Sequence, residues 1–136
     1  PYTCIVYDKL EELLPPSEIE LLKAENRIDS TSVGFVQGKN WACKAIIVDE
    51  CSNLDFSDFV MLLSRCAEFT RIFFIGDSVN QNYLANGLSG FKKVFDKFND
   101  QESKDNGVHC FELKDKEDIV RSGFCRFILE KLEIIK

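Results

Sequence analysis

The chain has 136 residues, of which 45% are hydrophobic and 29% are charged, a length and composition typical of one folded domain with an ordinary core. Lys and Arg total 17 against 23 Asp and Glu, and the net charge of -6 argues against a surface dedicated to coating DNA or RNA. The longest apolar stretches fall far short of the roughly 20 residues that span a bilayer, and no secretory signal is visible, so we expect no membrane partner.

The cysteine pattern indicates a reduced protein. Six cysteines occur, none of them in a CxxC pair, and the chain has one histidine, so a zinc site of the ribbon or finger kind is not expected. Most of the cysteines lie in or beside apolar runs, where a thiol behaves as a small hydrophobe. We therefore expect a reducing, cytoplasmic location.

Two helices are predicted near the N-terminus. Residues 5–14 place apolar side chains at helical spacing, and the two prolines that follow end the run. Ser17 is then positioned to cap a second helix over residues 18–26, which has acidic residues in its first turn. Residues 29–40 are rich in turn-forming residues and are predicted to form a connector with one short strand at Val33–Val36.

The centre of the chain predicts a strand, a helix and a second strand. Ala45–Val48 is an unbroken apolar run, which is typical of a strand buried on both faces. Residues 55–68 have an amphipathic helical pattern, and Ile72–Ile75 forms a second apolar run. This order requires parallel strands and a right-handed crossover, so the sequence predicts an α/β fold.

The C-terminal half alternates loops with regular elements. Residues 78–86 are polar and predict a loop, whereas Ser89–Phe98 has the apolar face of a helix. Residues 99–107 predict a solvated loop with no core residue, and the alternation in Val108–Leu113 predicts a third strand. The last helix is predicted over residues 118–133.

Acidic residues stand at the ends of both central strands. In an open parallel sheet ligands bind beyond the carboxyl ends of the strands, which is where Asp49-Glu50 and Gly76-Asp77 occur. An Asp can hold Mg²⁺ there, and an adjacent Glu can polarise an attacking water. Asn80 and Gln81 are suited to sensing a γ-phosphate or a water. The alternative is that the strands simply end in polar residues where they meet solvent.

Several segments, taken in order, resemble the C-terminal part of the PhoH-like proteins, which are P-loop ATPases related to superfamily 1 helicases. The resemblance spans nearly the whole chain, and the order and spacing of the matches are more specific than any one of them. The matching segments are Pro1-Tyr2 with Tyr7–Leu10 (family pattern PY…YDAL), Gly34–Asn40 (YMRGRT), Ala45–Asn53 (the Walker B segment, ending DEAQN), Leu63–Arg65 (LTR), Phe74–Gln81 (GDPTQ), Gly87-Leu88 (SGL) and Asp118–Arg121 (DVVR).

The resemblance implies a three-layer, parallel-sheet P-loop NTPase core of the RecA-like kind, with ATP and Mg²⁺ as cofactors. Residues 1–136 would form the C-terminal part of a single such domain, so the core is incomplete in this chain. By the same resemblance Asp49 holds the Mg²⁺ and Glu50 activates the attacking water. Asp77, with either Asn80 or Gln81, forms the sensor segment near the γ-phosphate.

Two arginines are further catalytic candidates by resemblance. Arg65 and Arg121 would sense phosphate or act as arginine fingers across a subunit boundary, since a guanidinium suits developing phosphoryl charge. For Arg65 the alternative is a purely structural one, because a cation at the end of a helix is favourable in itself. Arg121 lies near a predicted helix N-terminus, where the positive end of the helix dipole disfavours a cation. A functional use of Arg121 therefore fits better than a structural one.

Departures from the family pattern point to a divergent member. The Gln of DEAQ is Ser52, the Pro of GDP is Ser78, and Gln37 and Lys39 replace the arginines of RGR. No GxxxxGK[ST] phosphate-binding loop occurs in the 136 residues, and residue 1 is Pro rather than Met. We therefore expect that an upstream segment of the same protein supplies this Walker A loop. The family resemblance implies that its strand lies between the strand ending at Gly76 and the one at Val108–Leu113.

Three functions from different classes follow. The leading hypothesis is a Mg²⁺-dependent ATPase domain, with homo-oligomerisation and a link to RNA suggested by the family alone. The second is a superfamily 1 helicase motor fragment, whose ATPase would be stimulated by nucleic acid with a steep salt dependence. The third is a degenerate, non-catalytic interaction module, which tight binding of Mg-ATP by this chain alone would contradict.

Overall fold

The computed structural model describes residues 2–76, 90–113 and 122–131. Two compact units are present, one formed by residues 1–45 and 60–71 and the other by residues 46–59 and 72–136. No helix within the described ranges is long and apolar enough to cross a membrane. The regular elements are the helices α1 (Tyr2–Leu13), α2 (Pro16–Ala24), α3 (Phe56–Leu63), α4 (Gly90–Phe98), α5 (Gln101–Asp105) and α6 (Gly123–Lys131), the strands β1 (Ala45–Val48) and β2 (Arg71–Phe74), and the 3-10 turns Val33–Phe35 and Cys51–Asn53.

The two predicted N-terminal helices are present in the first unit, but the cap of α2 differs from the prediction. Pro15, not Ser17, is the N-cap residue, and Pro16 takes the first helical position. The fixed φ of proline suits that position, where a missing N–H leaves no helical hydrogen bond unmade. The ammonium of Lys23 in α2 lies 4.4 Å from the ring centroid of Tyr7 in α1, which joins the two helices by a cation–π contact.

The strand predicted at Val33–Val36 is wrong, since residues 33–35 form a 3-10 turn. The amide of Phe35 donates to the carbonyl of Ser32 at 3.0 Å, and that of Val36 donates to Val33 at 3.3 Å. The segment therefore makes its backbone hydrogen bonds within the turn, and the side chain of Val36 at its end is buried.

A short parallel bridge in the first unit was not predicted from the sequence. The amide of Trp41 donates to the carbonyl of Arg65 at 2.8 Å, and the amide of Ala67 donates back to the carbonyl of Trp41 at 2.7 Å. The hydroxyl of Thr70 donates to the same Trp41 carbonyl at 2.6 Å. Residues 65–67 use their backbone groups in this bridge, so α3 ends at Leu63 and does not continue to residue 68 as predicted.

The central strands pair in parallel, which confirms the predicted strand–helix–strand order. The amide of Arg71 donates to the carbonyl of Lys44 at 2.9 Å, and the amide of Ile75 donates to Val48 at 2.9 Å, so both strands advance together. The described residues thus form a mixed α/β arrangement with a small parallel sheet, in which the expected three-layer core is present only in part.

The helix between the strands begins with reciprocal side-chain capping. The Asp55 carboxylate accepts from the amide of Asp58 at 2.9 Å and from the hydroxyl of Ser57 at 2.6 Å, and the Asp58 carboxylate accepts from the amide of Asp55 at 3.1 Å. The bonds from Ser57 and Asp58 favour the charged carboxylate and lower the pKa of Asp55.

The prediction that β1 is buried on both faces is wrong. Ile47 is 68% exposed, and Phe73 at the same register of β2 is 51% exposed, as is Ile75 beyond it at 54%. Alternate side chains of a strand point to opposite faces of a sheet, so these three residues mark one uncovered face, called here the open sheet face. On the core side Phe59 of α3 packs against Phe74, with ring centroids 5.0 Å apart.

Helix α4 confirms its prediction and completes this aromatic core. The ring of Phe91 stacks on Phe59 at 6.2 Å and contacts Phe95 at 6.3 Å. At the start of α4, Gly90 is buried, and its amide donates to the carbonyl of Leu54 at 3.0 Å. A Cβ at Gly90 would lie 2.4 Å from the carbonyl carbon of Asp55, so only glycine fits this approach.

Two predictions after α4 are wrong. Within the loop predicted over residues 99–107, Gln101–Asp105 forms the short helix α5, because the Asp100 carboxylate accepts from the amide of Ser103 at 2.7 Å and caps it. Residues 108–113 form no strand, and their Phe111 is 84% exposed. An extended segment needs a neighbouring strand for its hydrogen bonds, and none lies beside it in the described chain.

The final helix is present over Gly123–Lys131, inside the predicted range of 118–133. Phe124 and Phe127 of α6 are 75% and 53% exposed, so these two large apolar side chains of the helix are not covered within the described chain. The loop predicted over residues 78–86, the Gly87-Leu88 segment, the start of the last helix at residues 118–121 and its end at 132–133 lie outside the described residues.

The described thiols should differ sharply in reactivity. Cys43 is exposed, whereas burial raises the pKa of the Cys51 thiol from the ordinary value of 9.0 to about 12 and also raises the pKa of Cys66 and Cys110. This rise lowers the thiolate fraction of Cys51 at pH 8 by about 10³-fold. Of the four thiols that the structure describes, we expect iodoacetamide to label Cys43 first and Cys51 last, as read by peptide mass spectrometry, and to label both equally in denaturant. Equal rates in the native protein would contradict the fold around Cys51.

Candidate functional site

The described structure covers three of the seven predicted site residues. Asp49 and Glu50 lie directly after β1 in the second unit, and Arg65 follows α3 in the first unit. The other four lie outside the described residues: Asp77, Asn80, Gln81 and Arg121. Asp49 and Glu50 are neighbours in the chain itself, and the sensor and second-arginine assignments stay predictions.

The two acidic residues lie just beyond the last residue of β1, where the chain becomes exposed to solvent. Val48 is 7% exposed, whereas Asp49 and Glu50 are both exposed. The Asp49 carboxylate accepts a hydrogen bond from the backbone amide of Glu50 at 2.9 Å, which orients one of its oxygens. Glu50 has φ 52° and ψ 34°, in the left-handed region that residues with a Cβ rarely adopt.

A hydrogen-bonded turn ties the ends of both strands together. After Glu50, Cys51–Asn53 forms a 3-10 turn, and the amide of Cys51 donates to the carbonyl of Ile75 at 2.9 Å. The amide of Ile75 donates in turn to Val48 at 2.9 Å. The Asp49-Glu50 pair therefore lies at the same edge of the sheet as Gly76, the residue that precedes the predicted Asp77.

Cys51 and Gly76 form the contact behind this edge, and sequence reasoning did not select either of them as a site residue. Cys51 is completely buried, and burial, with smaller contributions from the charges of Asp49 and Glu50, raises the pKa of its thiol. A Cβ on Gly76 would lie 2.9 Å from the Cys51 sulfur. The signal in the sequence was their position, one residue after Asp49-Glu50 and one before Asp77.

The donor set at this edge suits a hard divalent cation. Mg²⁺ is bound in proteins through one or two carboxylates, with waters and substrate phosphates completing its shell. In the part of the chain that the structure describes, no cluster of three or more His, Cys, Asp or Glu side chains could hold a metal ion. Asp49 and Glu50 are two adjacent carboxylates, the kind of oxygen ligand that Mg²⁺ prefers.

Arg65 belongs to the first unit, where its main chain is part of the Trp41 bridge. Its carbonyl accepts from Trp41, and its amide donates to Leu62 at 3.0 Å. The guanidinium Nε is buried and has no hydrogen-bond partner among the described residues. A buried donor needs an acceptor, so the side chain suits an anionic group.

Comparison with known proteins extends over nearly the whole chain. A family model described as "PhoH-like protein" matches residues 1–133. Protein PhoH of Escherichia coli K12 is 29% identical over 129 residues, which are 93% of this chain and 35% of that protein. PhoH-like proteins of Synechocystis and of Mycobacterium tuberculosis are 24% identical over 136 and 121 residues, or 98% and 89% of this chain and 39% and 33% of theirs. The chain thus spans little more than a third of the length of these relatives.

Proposed function

This chain belongs to the family of PhoH-like proteins, and from that premise we propose that it is the Walker B part of a Mg²⁺-dependent ATPase. The observation that carries the proposal is the position of Asp49-Glu50 at the end of a parallel strand, hydrogen-bonded through Cys51 to the end of the neighbouring strand. This is the edge of an open α/β sheet where ligands bind.

Each acidic residue has a separate role in the proposal. The exposed Asp49 carboxylate would hold Mg²⁺ through a water, and the exposed Glu50 carboxylate would accept the proton of the attacking water. When bound, Mg-ATP supplies the reacting phosphoryl group and the cation that neutralises its charge. Asp77 with Asn80 or Gln81 would contact the γ-phosphate side.

Arg65 and Arg121 are proposed to stabilise phosphoryl charge. The support for Arg65 is its match to the family pattern, by which its guanidinium would meet a nucleotide held by another copy of a homo-oligomer. The Nε atom itself is buried, so such a contact would involve the other nitrogens of the guanidinium. For Arg121 the support is its match to the family pattern alone.

The phosphate-binding loop is proposed to come from an upstream segment of the same polypeptide. Parallel sheets occur almost only with both faces covered, yet Ile47, Phe73 and Ile75 leave the open sheet face uncovered within the described chain. The relatives are nearly three times as long as the region they share with this chain. A segment that adds strands to this sheet and covers the face would supply the Walker A loop beside Asp49.

Mg-ATP binding tests this proposal. We expect the full-length protein to bind Mg-ATP in isothermal titration calorimetry, and residues 1–136 alone to show no binding, because they hold only the Walker B side of the phosphate site. EDTA should abolish the binding, since the proposed site needs the cation. A full-length protein that binds no Mg-ATP would contradict the ATPase and favour a non-catalytic interaction module. Tight binding by residues 1–136 alone would contradict the upstream loop.

A further inference from the structure

The backbone that carries Glu50 is held in an unfavourable conformation. Glu50 is one of four non-glycine residues with a positive φ among the described residues, and the others are Asn26, Cys43 and Phe69. In this region the Cβ crowds the backbone, so such a conformation persists where the surrounding structure imposes it. Two contacts hold Glu50 in this conformation.

The turn after Glu50 supplies the first of these contacts. Cys51 is completely buried, and its amide donates to the carbonyl of Ile75 at 2.9 Å. The amide of Asn53 donates to the carbonyl of Glu50 at 3.2 Å, which closes the 3-10 turn. Glu50 is thus joined on one side to β1 and on the other to a turn seated against the end of β2.

The second contact is the close packing of the turn against Gly76, which has no side chain. A Cβ at this position would lie 2.7 Å from the Ser52 hydroxyl oxygen, 2.9 Å from the Cys51 sulfur and 3.0 Å from the Ser52 amide nitrogen. Gly76 is not among the glycines with a positive φ, so its backbone conformation does not require glycine. The requirement is instead the close approach of the Ser52 and Cys51 side chains, and of the Ser52 amide, to the end of β2.

We propose that Gly76 is a positioning residue for Glu50. Its missing side chain lets the turn close onto β2, and this closure sets where the Glu50 carboxylate stands relative to the end of that strand. The inference rests on the proposed ATPase function, in which a phosphate binds at this edge of the sheet. A methyl group at residue 76 would push the turn outwards and carry Glu50 with it.

The first test is the variant Gly76→Ala in the full-length protein. A displacement of about 1 Å at a catalytic group lowers turnover by about 10²-fold, so we expect kcat for Mg-ATP to fall by that factor while KM changes by less than about threefold. The matched control is Gly123→Ala, since a Cβ at Gly123 would meet no atom within 4 Å. A folded Gly76→Ala protein with unchanged kcat would overturn the proposal.

The second test restores the space that the new methyl group needs. In a Cys51→Ala/Ser52→Ala background both side-chain atoms nearest to the new Cβ are gone, so adding Gly76→Ala should lower kcat by less than about tenfold. An equal loss in both backgrounds would overturn the proposal. If Gly76→Ala alone does not fold, this background decides: an active triple variant supports the proposal, and a triple variant that fails to fold where the double variant folds overturns it.

Thiol labelling separates this inference from the proposed function. In the full-length protein Gly76→Ala should raise the rate at which iodoacetamide modifies Cys51, because the turn no longer seats the thiol, whether or not ATP is hydrolysed. If Gly76→Ala speeds the labelling of Cys51 but the wild-type protein has no ATPase activity, the inferred contact is supported and the proposed function is refuted. Unchanged labelling together with unchanged kcat would refute the contact while the ATPase stands.

Discussion

Replacing Glu50 with Gln in the full-length protein is expected to lower kcat for ATP hydrolysis by about 10²–10⁴-fold, the usual contribution of a positioned general base. Gln has the same shape but accepts no proton, so the attacking water would keep both of its protons in the transition state. Binding of Mg-ATP should persist, because Asp49 is unchanged. Steady-state turnover and calorimetric binding, measured on the same preparation, separate the two effects.

The matched control for this experiment is Glu68→Gln. Glu68 is also exposed, but it lies in the first unit and has no proposed role in catalysis, so its substitution removes one negative charge without touching the strand ends. Its kcat should stay within about twofold of the wild-type value. An ATPase that turns over normally with Gln at residue 50 would remove Glu50 from the proposed chemistry.

Replacing Phe59 with Ala is expected to destabilise the chain by about 3–5 kcal/mol, the usual loss for a large aromatic core residue. Phe59 is 0% exposed, and its ring lies against Phe74 of β2 and Phe91 of α4. The truncated side chain would leave a cavity where α3, β2 and α4 meet. Because single domains are stable by only about 5–15 kcal/mol, urea unfolding followed by circular dichroism should show a large fall in the midpoint.

Phe111→Ala is the matched control, with the same chemical change at a residue that is 84% exposed. A surface substitution of this kind changes the free energy of unfolding by less than about 0.5 kcal/mol. Equal effects of the two substitutions would show that Phe59 is not a core residue. A larger effect at Phe111 would show that residues 108–113 are packed, as the sequence pattern predicted.

Local sequence patterns were sufficient to predict the elements that their own side chains specify. The unbroken run at Ala45–Val48 and the helical patterns after Leu54 and after Ser89 predicted β1, α3 and α4, and the parallel pairing followed from their order. The motif order also predicted the family, which the match over residues 1–133 confirms. The placement of Asp49 and Glu50 at the end of β1 needed nothing more than the end of the apolar run.

The two wrong strand predictions share a different cause. Val33–Val36 and Val108–Leu113 have the composition of strands, but a strand exists only where a second one accepts and donates its backbone hydrogen bonds. Residues 33–36 instead close hydrogen bonds within a turn, and residues 108–113 have no partner strand in the described chain. The two-sided burial predicted for β1 failed for the same reason, since burial depends on elements that lie beyond the strand itself.

The sequence by itself therefore determined the α/β character of the chain, its family and the acidic pair at the end of β1, because these follow from periodicity and motif order along a short stretch. Only the tertiary structure decided that Glu50 takes a left-handed backbone, that Cys51 is buried behind it and that Gly76 must lack a side chain. The physical reason is that these three facts arise from one close contact between segments far apart in the chain. Steric exclusion at such a contact depends on distances that no local pattern encodes.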